Sequence, residues 1–287
     1  MKKSIFSVIA CASMAAILMF SSCGSKDAAS SSAKDADSKA TASAASGEDQ
    51  SLQKVLDSGK LVLGLDATFK PMGYTDENDQ VVGFDIDLAN EVCSRMGIKL
   101  ETYGVNWDTK EVDLNAGTID CIWNGLSVSD ERKKVMLMSD PYMENDMVFV
   151  VKDDSDIKSL NDLEGKTVAV QNGSTAQEIL KASDVSKKIA TTNELATNVE
   201  ALNNLDLNMC DAVFLDSVVA KYEINTSKKA LKILDEGLEP EQYAIGFRLG
   251  DQALCDKIES VLSEMKADGT VEKISTKWFG SDITCIK

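Results

Sequence analysis

From about residue 60 onward, short apolar runs alternate with longer stretches whose apolar residues recur at helical spacing. Residues 60–65, 81–84, 98–103, 119–123, 147–151, 167–170 and 212–215 cluster aliphatic and aromatic side chains over strand-like lengths and are predicted strands. Between them, Phe84–Met96 carries apolar residues one helical turn apart, with Asp85 and Asp87 in the first turn, where the helix dipole favours acid. Further helices are predicted from Ser174 toward Leu180 and from Ser217 toward Tyr222. Strand and helix alternating in this way predict an α/β body. The apolar stretches at 147–151 and 242–246 are expected to act as hinge strands. If the chain crosses on one and returns on the other, the body divides into a discontinuous lobe, 51–148 with 244–287, and an inserted lobe, 149–243. A cleft would lie between them, the usual place for a small ligand.

The N-terminus has a different pattern. Met1-Lys2-Lys3 is followed by an apolar run to Phe20 and then by the small residues Ser21-Ser22 before Cys23. That run is shorter than the roughly 20 residues a membrane helix needs, so residues 1–22 are expected to be a secretory signal peptide. Cys23 in this setting resembles the lipobox of bacterial lipoproteins, whose cysteine becomes the lipid-modified first residue; Phe20 stands where leucine is usual. Residues 23–50 are rich in Ser, Ala, Asp and Lys and almost free of large apolar side chains, the composition of a disordered tether.

Charge and cysteine usage remove several classes of function. A formal charge of −17 argues against nucleic acid and against adsorption to anionic lipid, so a membrane link would fall to the acyl chain. The chain has no histidine, and its cysteines lack zinc-ligand spacing, so no metal is expected; nor is any cofactor motif present. Cys93, Cys121 and Cys210 sit in apolar patterns and read as core residues, while Cys255 and Cys285 could bridge or stay free.

The remaining chemistry is a set of separated charged residues: Asp66, Arg132, the turn Gly173-Ser174-Thr175, and Asp216. A free α-amino acid carries a carboxylate and an ammonium on neighbouring atoms and needs one fixed cation and one fixed anion close together. Arg132 and Asp216 are the candidate pair. Taken alone, Arg132 is also consistent with an exposed arginine in a charged run, and Asp216 with a helix N-cap. Glu144 reads as an exposed acid near the mouth of the cleft.

In order and spacing the segments Gly64-Leu65-Asp66-Ala67-Thr68-Phe69-Lys70-Pro71, Gly83-Phe84-Asp85-Ile86-Asp87-Leu88, Asp130-Glu131-Arg132-Lys133-Lys134, Ser139-Asp140-Pro141-Tyr142, Gly173-Ser174-Thr175, Asp211-Ala212-Val213 and Lys277-Trp278-Phe279-Gly280 resemble the family 3 solute-binding proteins of polar amino-acid ABC transporters. The resemblance implies a two-lobed, type II-like periplasmic-binding-protein fold with the ligand in the interlobe cleft. It implies that Arg132 forks onto the ligand carboxylate, that Ser127, Ser174 and Thr175 share it, and that Asp216 accepts the ammonium. Gly125 and Asn124 match positions whose main chain faces the ammonium; Asn124 departs from the usual residue, and its amide is expected to reach the ligand side chain instead. Phe69 and Trp107 would flank that side chain, and Asp66 would meet its distal N–H donors, whether of a cation or of an amide. The function implied is extracytoplasmic capture of a polar or basic amino acid (arginine, lysine, ornithine, histidine or glutamine-like) by lobe closure, by a monomer that delivers it to an ABC permease with its ATPase. Alternatives on the same fold are a cyclohexadienyl dehydratase-like enzyme and a sensor docking on a receptor.

Overall fold

A computed structural model describes residues 48–227 and 229–287. The expected signal peptide, Cys23 and the tether up to residue 47 lie outside the described residues. The strands are β1 (Lys60–Leu65), β2 (Thr68–Phe69), β3 (Gly73–Thr75), β4 (Val81–Val82), β5 (Lys99–Gly104), β6 (Cys121–Ser127), β7 (Leu137–Met138), β8 (Met143–Lys152), β9 (Thr167–Gln171), β10 (Thr191–Leu195), β11 (Ala212–Asp216) and β12 (Leu231–Phe247). The helices are α1 (Ser51–Ser58), α2 (Phe84–Met96), α3 (Lys110–Ala116), α4 (Asp130–Val135), α5 (Thr175–Ala182), α6 (Asn198–Asp206), α7 (Ser217–Thr226), α8 (Gln252–Ala267) and α9 (Thr270–Phe279).

One sheet runs β10-β9-β11-β8-β12-β6-β1-β5, with β7 on the end of β12; β2, β3 and β4 form a small second sheet. In one half β1 lies parallel to β5 and β6, and in the other β9 lies parallel to β10 and β11. The long antiparallel strands β8 and β12 join the halves, paired from Leu231↔Lys152 to Tyr243↔Met143. The chain leaves the first half along β8 and returns along β12, which gives a two-lobed α/β fold. Leu61, Leu63 and Leu65 of β1 pack with Phe84, Leu88 and Val92 of α2, whereas Phe149, Val168, Val170 and Phe214 centre a separate cluster in the second half.

Three departures from the sequence pattern have physical reasons. The strand expected at 119–123 runs from Cys121 to Ser127 with every residue of β6 buried; Asn124 bonds the Asp66 N–H and the Ser127 carbonyl takes the Arg132 guanidinium. Only Val81 and Val82 of 81–84 are strand, since Gly83 opens α2. β12 starts well before 242, through Asp235, Glu236 and Pro240; its register shifts between Ile233, Gly237 and Pro240 show how a strand tolerates such residues.

Asp49 is tied to the body, its carboxylate accepting the N–H groups of Ser51 and Ala253. Cys255 and Cys285 are free thiols, the latter directed at the Pro141 carbonyl. Among the described residues no helix is long and apolar enough to cross a membrane.

Candidate functional site

Asp66, Ser127, the Gln171–Ser174 turn and Asp216 end or follow β1, β6, β9 and β11, so the site forms at the carboxyl ends of these strands, where open α/β sheets bind ligands. The nominated side chains are all brought to this region and all buried.

Arg132 sits in the first turn of α4, whose N-cap Ser129 accepts the Arg132 N–H at 3.2 Å. The residue is 4% exposed, and its guanidinium donates from Nη1 to the Ser127 carbonyl at 2.8 Å. Among the described residues no carboxylate lies within 4.0 Å of it. Burial pushes its pKa down, against the pull of Glu178, Glu241, Glu111 and Asp216 at longer range. This burial rules out the exposed-arginine alternative. Beside it stands a second buried cation, Lys110, which sequence reasoning missed. Its amine donates to the carbonyls of Trp107 (2.9 Å) and Gly173 (3.1 Å) and lies 3.1 Å from Glu111. Burial, with the nearby charge of Arg132, brings it down to about 8.

Gly173 adopts φ +67°, and a Cβ there would lie 2.6 Å from Asp108 Cα in the opposite half, so only glycine allows this approach. Ser174 then caps α5, accepting from Gln177 N and donating to the Gln171 carbonyl. The Thr175 hydroxyl is buried with no hydrogen-bond partner in the protein. The first N–H groups of α5 have no intrahelical acceptor. Arg132, Lys110 and this helix start therefore converge as an anion receptor.

Asp216 occupies the N-cap position of α7, yet its side chain makes no cap bond, which corrects the N-cap alternative. Instead its Oδ1 accepts Tyr243 Oη–H at 2.5 Å and Asn145 Nδ2–H at 3.2 Å. Asn145 pairs across the β8–β12 ladder with Glu241, whose Oε1 accepts from the same amide nitrogen at 2.5 Å. Glu241 is 9% exposed, and its Oε2 is buried without a protein partner. Burial raises both acids, and the Asp216 charge raises Glu241 further, well above the carboxylate range.

Asp66 follows β1, its N–H held by Asn124 Oδ1 at 3.0 Å. Asn124 also donates to the Gly73 carbonyl and is fully buried. Its amide oxygen and one of its two N–H groups are thus taken by the protein and shape the Asp66 turn. Asp66 accepts Thr68 N–H and Oγ1–H on one oxygen and Gln171 Nε2–H, from the other half, at 2.7 Å on the second. Of roughly four lone-pair sites, one remains. Phe69 and Trp107 lie parallel to within 8°, centroids 6.4 Å apart. Gly125, at φ +57°, leaves room for Phe69, whose ring would stand 2.7 Å from an added Cβ. Its N–H donates at 2.8 Å to Asp85, a fully buried acid of α2 that also takes Tyr142 Oη–H at 3.0 Å.

Lys110, Asn145, Gln171, Glu241 and Tyr243 lay outside the sequence reading. Gln171 and Glu241 did carry a signal: each is a polar residue at the edge of an apolar strand run, before Gly173-Ser174-Thr175 and before Tyr243-Ala244-Ile245.

Residues 61–281 match the model of the bacterial extracellular solute-binding proteins, family 3. The chain is similar to the L-cystine-binding protein TcyJ of Escherichia coli (strain K12), 28% identical over 235 residues, 81% of this chain and 87% of that protein. It is similar to the arginine-binding extracellular protein ArtP of Bacillus subtilis (strain 168), 33% identical over 223 residues, 77% and 86% of the two chains. Among solved structures it resembles an ABC uptake transporter substrate-binding protein from Streptococcus pneumoniae with bound histidine, at TM-score 0.81 and 35% identity, covering 83% of this chain and 99% of that one. The fold, the matched segment and these identities together show that the chain belongs to the bacterial extracellular solute-binding proteins of family 3.

Proposed function

We propose that this protein captures a free L-amino acid with a polar or basic side chain outside the cytoplasm and hands it to an ABC permease. The observation that carries the reading is the arrangement of like charges. Two buried cations, Arg132 and Lys110, lie near one another, and two buried acids, Asp216 and Glu241, share the Asn145 amide, with no ion pair between the two sets among the described residues. Each pair is costly alone, and a zwitterion offsets both. Arg132, Thr175, Ser127 and the start of α5 take the carboxylate, and Asp216 takes the ammonium beside Gly125. Phe69 and Trp107 offer π faces to the side chain, and the last acceptor position of Asp66 meets its N–H donor. Relatives that bind arginine, histidine or cystine support a polar ligand. Asp216 and Asp66 each have a place in holding a zwitterion, so the reading is of a binder and not of a dehydratase. The Met1–Cys23 pattern supports anchoring through a lipid on Cys23, which the mass of the mature N-terminal residue tests.

The test is thermal melting against the proteinogenic amino acids and ornithine. A ligand at about a hundredfold its Kd contributes about 2.7 kcal/mol, a rise of roughly 5–10 °C for a body of this size. Arginine, lysine or ornithine as the best ligand makes Asp66 a cation partner; glutamine makes it an amide acceptor. No shift with any of them overturns the reading and brings forward the cyclohexadienyl enzyme.

Binding is proposed to work by closure. Gln171 reaches Asp66, Lys110 reaches the Gly173 carbonyl, and Gly173 packs on Asp108, all between the halves. Ligand favours this state because it bridges both halves. Gly173→Val should hold the halves apart, so that ligand no longer contracts the protein in solution scattering. Equal contraction in wild type and variant would refute closure at this contact.

A further inference from the structure

Asp216 is sufficient to balance one ammonium, and Glu241 leaves the cleft with a buried acid that the family resemblance does not assign. Four observations place it in the site. Its Oε2 is buried without a protein partner, while Oε1 shares the Asn145 amide with Asp216. The Ser127 hydroxyl, on the carboxylate side of the site, is among the groups that favour its anion. It stands on β12, opposite Asn145 of β8, where the joining strands pair. It also lines an opening of about 650 Å³ that reaches Thr175 of the site, and a second of about 600 Å³ that includes Ser217 and none of the nominated residues.

Two carboxylates joined through one amide N–H, with no ammonium or guanidinium within 4.0 Å among the described residues, are unfavourable as two anions, which favours a proton held by the pair when no ligand cation is present. We infer that Glu241 is a second contact for the ligand's ammonium, and that the proton of the Asp216–Glu241 pair passes to solvent when the ligand enters. The exchange balances: one ammonium enters, one proton leaves, and the pair becomes doubly ionised with the ligand cation in place of its proton. The inference rests on the amino-acid reading above.

Two other buried groups titrate near the tested range, Lys110 at about 8 and Asp85 at about 7, so the difference between wild type and Glu241→Gln is what isolates the pair. Arg132 faces it from α4 and stays protonated throughout, and Tyr243, bonded to Asp216, is raised well above the ordinary phenol by burial. Glu144 and Asp146 of β8 and Lys221 of α7 line the smaller cavity. Glu178 of α5 and Asp130, Glu131 and Lys133 of α4 line the larger one. Glu144, Asp146, Lys221, Asp130 and Glu131 are exposed.

The test is isothermal titration of the protein with L-arginine, L-lysine and L-glutamine, whose side chains do not titrate in this range, in buffers of different ionisation enthalpy between pH 5.5 and 8. Wild type should release close to one proton per ligand while the pair still carries it. Over that range its affinity should then rise about tenfold per pH unit and level off above. Glu241→Gln should bind with no proton release and a flat profile, whereas Glu144→Gln, an exposed acid of the same cavity, should behave as wild type. Binding with no proton release by wild type overturns the inference and leaves the amino-acid reading standing, and this readout needs no variant. A Glu241→Gln variant that releases the same proton also overturns it. Absence of binding by all three, together with no response in the melting screen, overturns both.

Discussion

Arg132→Ala is expected to abolish the ligand-dependent rise in melting temperature while leaving the ligand-free protein as stable as wild type, or more so. The two halves of this expectation have one cause. The guanidinium is buried, bonded to a single carbonyl, and without a carboxylate within 4.0 Å among the described residues. Without ligand it is a desolvated charge that opposes folding, and its removal relieves that cost. On the proposed reading it is, with ligand, the planar donor fork that matches a carboxylate, and truncation leaves that carboxylate to Lys110, Ser127, Thr175 and the start of α5 without its fork. Losing one partner of a buried hydrogen-bonded charge pair costs about 2–5 kcal/mol, roughly 30-fold to several-thousand-fold in Kd. Arg132→Lys keeps the charge but not the fork and should fall between. Calorimetric titration and melting curves with and without ligand measure both parts. An alanine variant that binds like wild type would remove Arg132 from the site, and one that binds weakly but unfolds more easily would make it a structural residue.

Asp85→Ala should cause the largest loss of stability of any change considered, about 3–5 kcal/mol, because it strips the Gly125 N–H and the Tyr142 hydroxyl of their buried acceptor at once. At this chain length that lowers the melting temperature by roughly 10–15 °C. Asp85→Asn keeps an acceptor for Gly125 and isolates the charge. Burial pushes Asp85 up to about 7 from its ordinary 3.8, despite the bonds from Gly125 and Tyr142. A folded pKa above the unfolded one means that the protonated form is favoured in the fold. The resulting stabilisation is complete below pH 4 and is lost as pH rises toward 7. Relative to Asp85→Asn, wild type should therefore lose on the order of 3–4 kcal/mol between pH 4 and 7 and nothing further above. Urea unfolding of the two proteins at pH 4.5, 6 and 8 reads the difference; a gap that does not change with pH would show that Asp85 is ionised throughout.

How far each element was legible depended on which force fixed it. β1, β9, β11 and α2 were readable because their apolar residues meet one core each, so burial prints its period on the sequence. β10 was not, since Thr191–Leu195 is an edge strand with mostly exposed side chains and only backbone pairing to hold it. The first part of β12 was hidden by acids and Pro240, which a strand accepts only through register shifts. In the site, Arg132, Asp216, Phe69 and Trp107 were nominated through short motifs around them. The protein partners of Asn124 were not legible, because a buried amide has no sequence mark for the direction it points; here it bonds Asp66 N–H and the Gly73 carbonyl.

By itself the sequence determined the α/β class, the acidic balance, the separated charges suited to a zwitterion, and a family likeness carried by motifs that keep their order along the chain. These follow from composition and local periodicity, which act over a few residues. Only the tertiary structure decided that Glu241 and Asp216 share one amide, that Lys110 lies beside Arg132, and that Gln171 reaches Asp66 across the halves. Those juxtapositions join residues up to 105 positions apart. Their cost and their use both come from desolvation, which depends on the packed surroundings of a group and not on its neighbours in the chain.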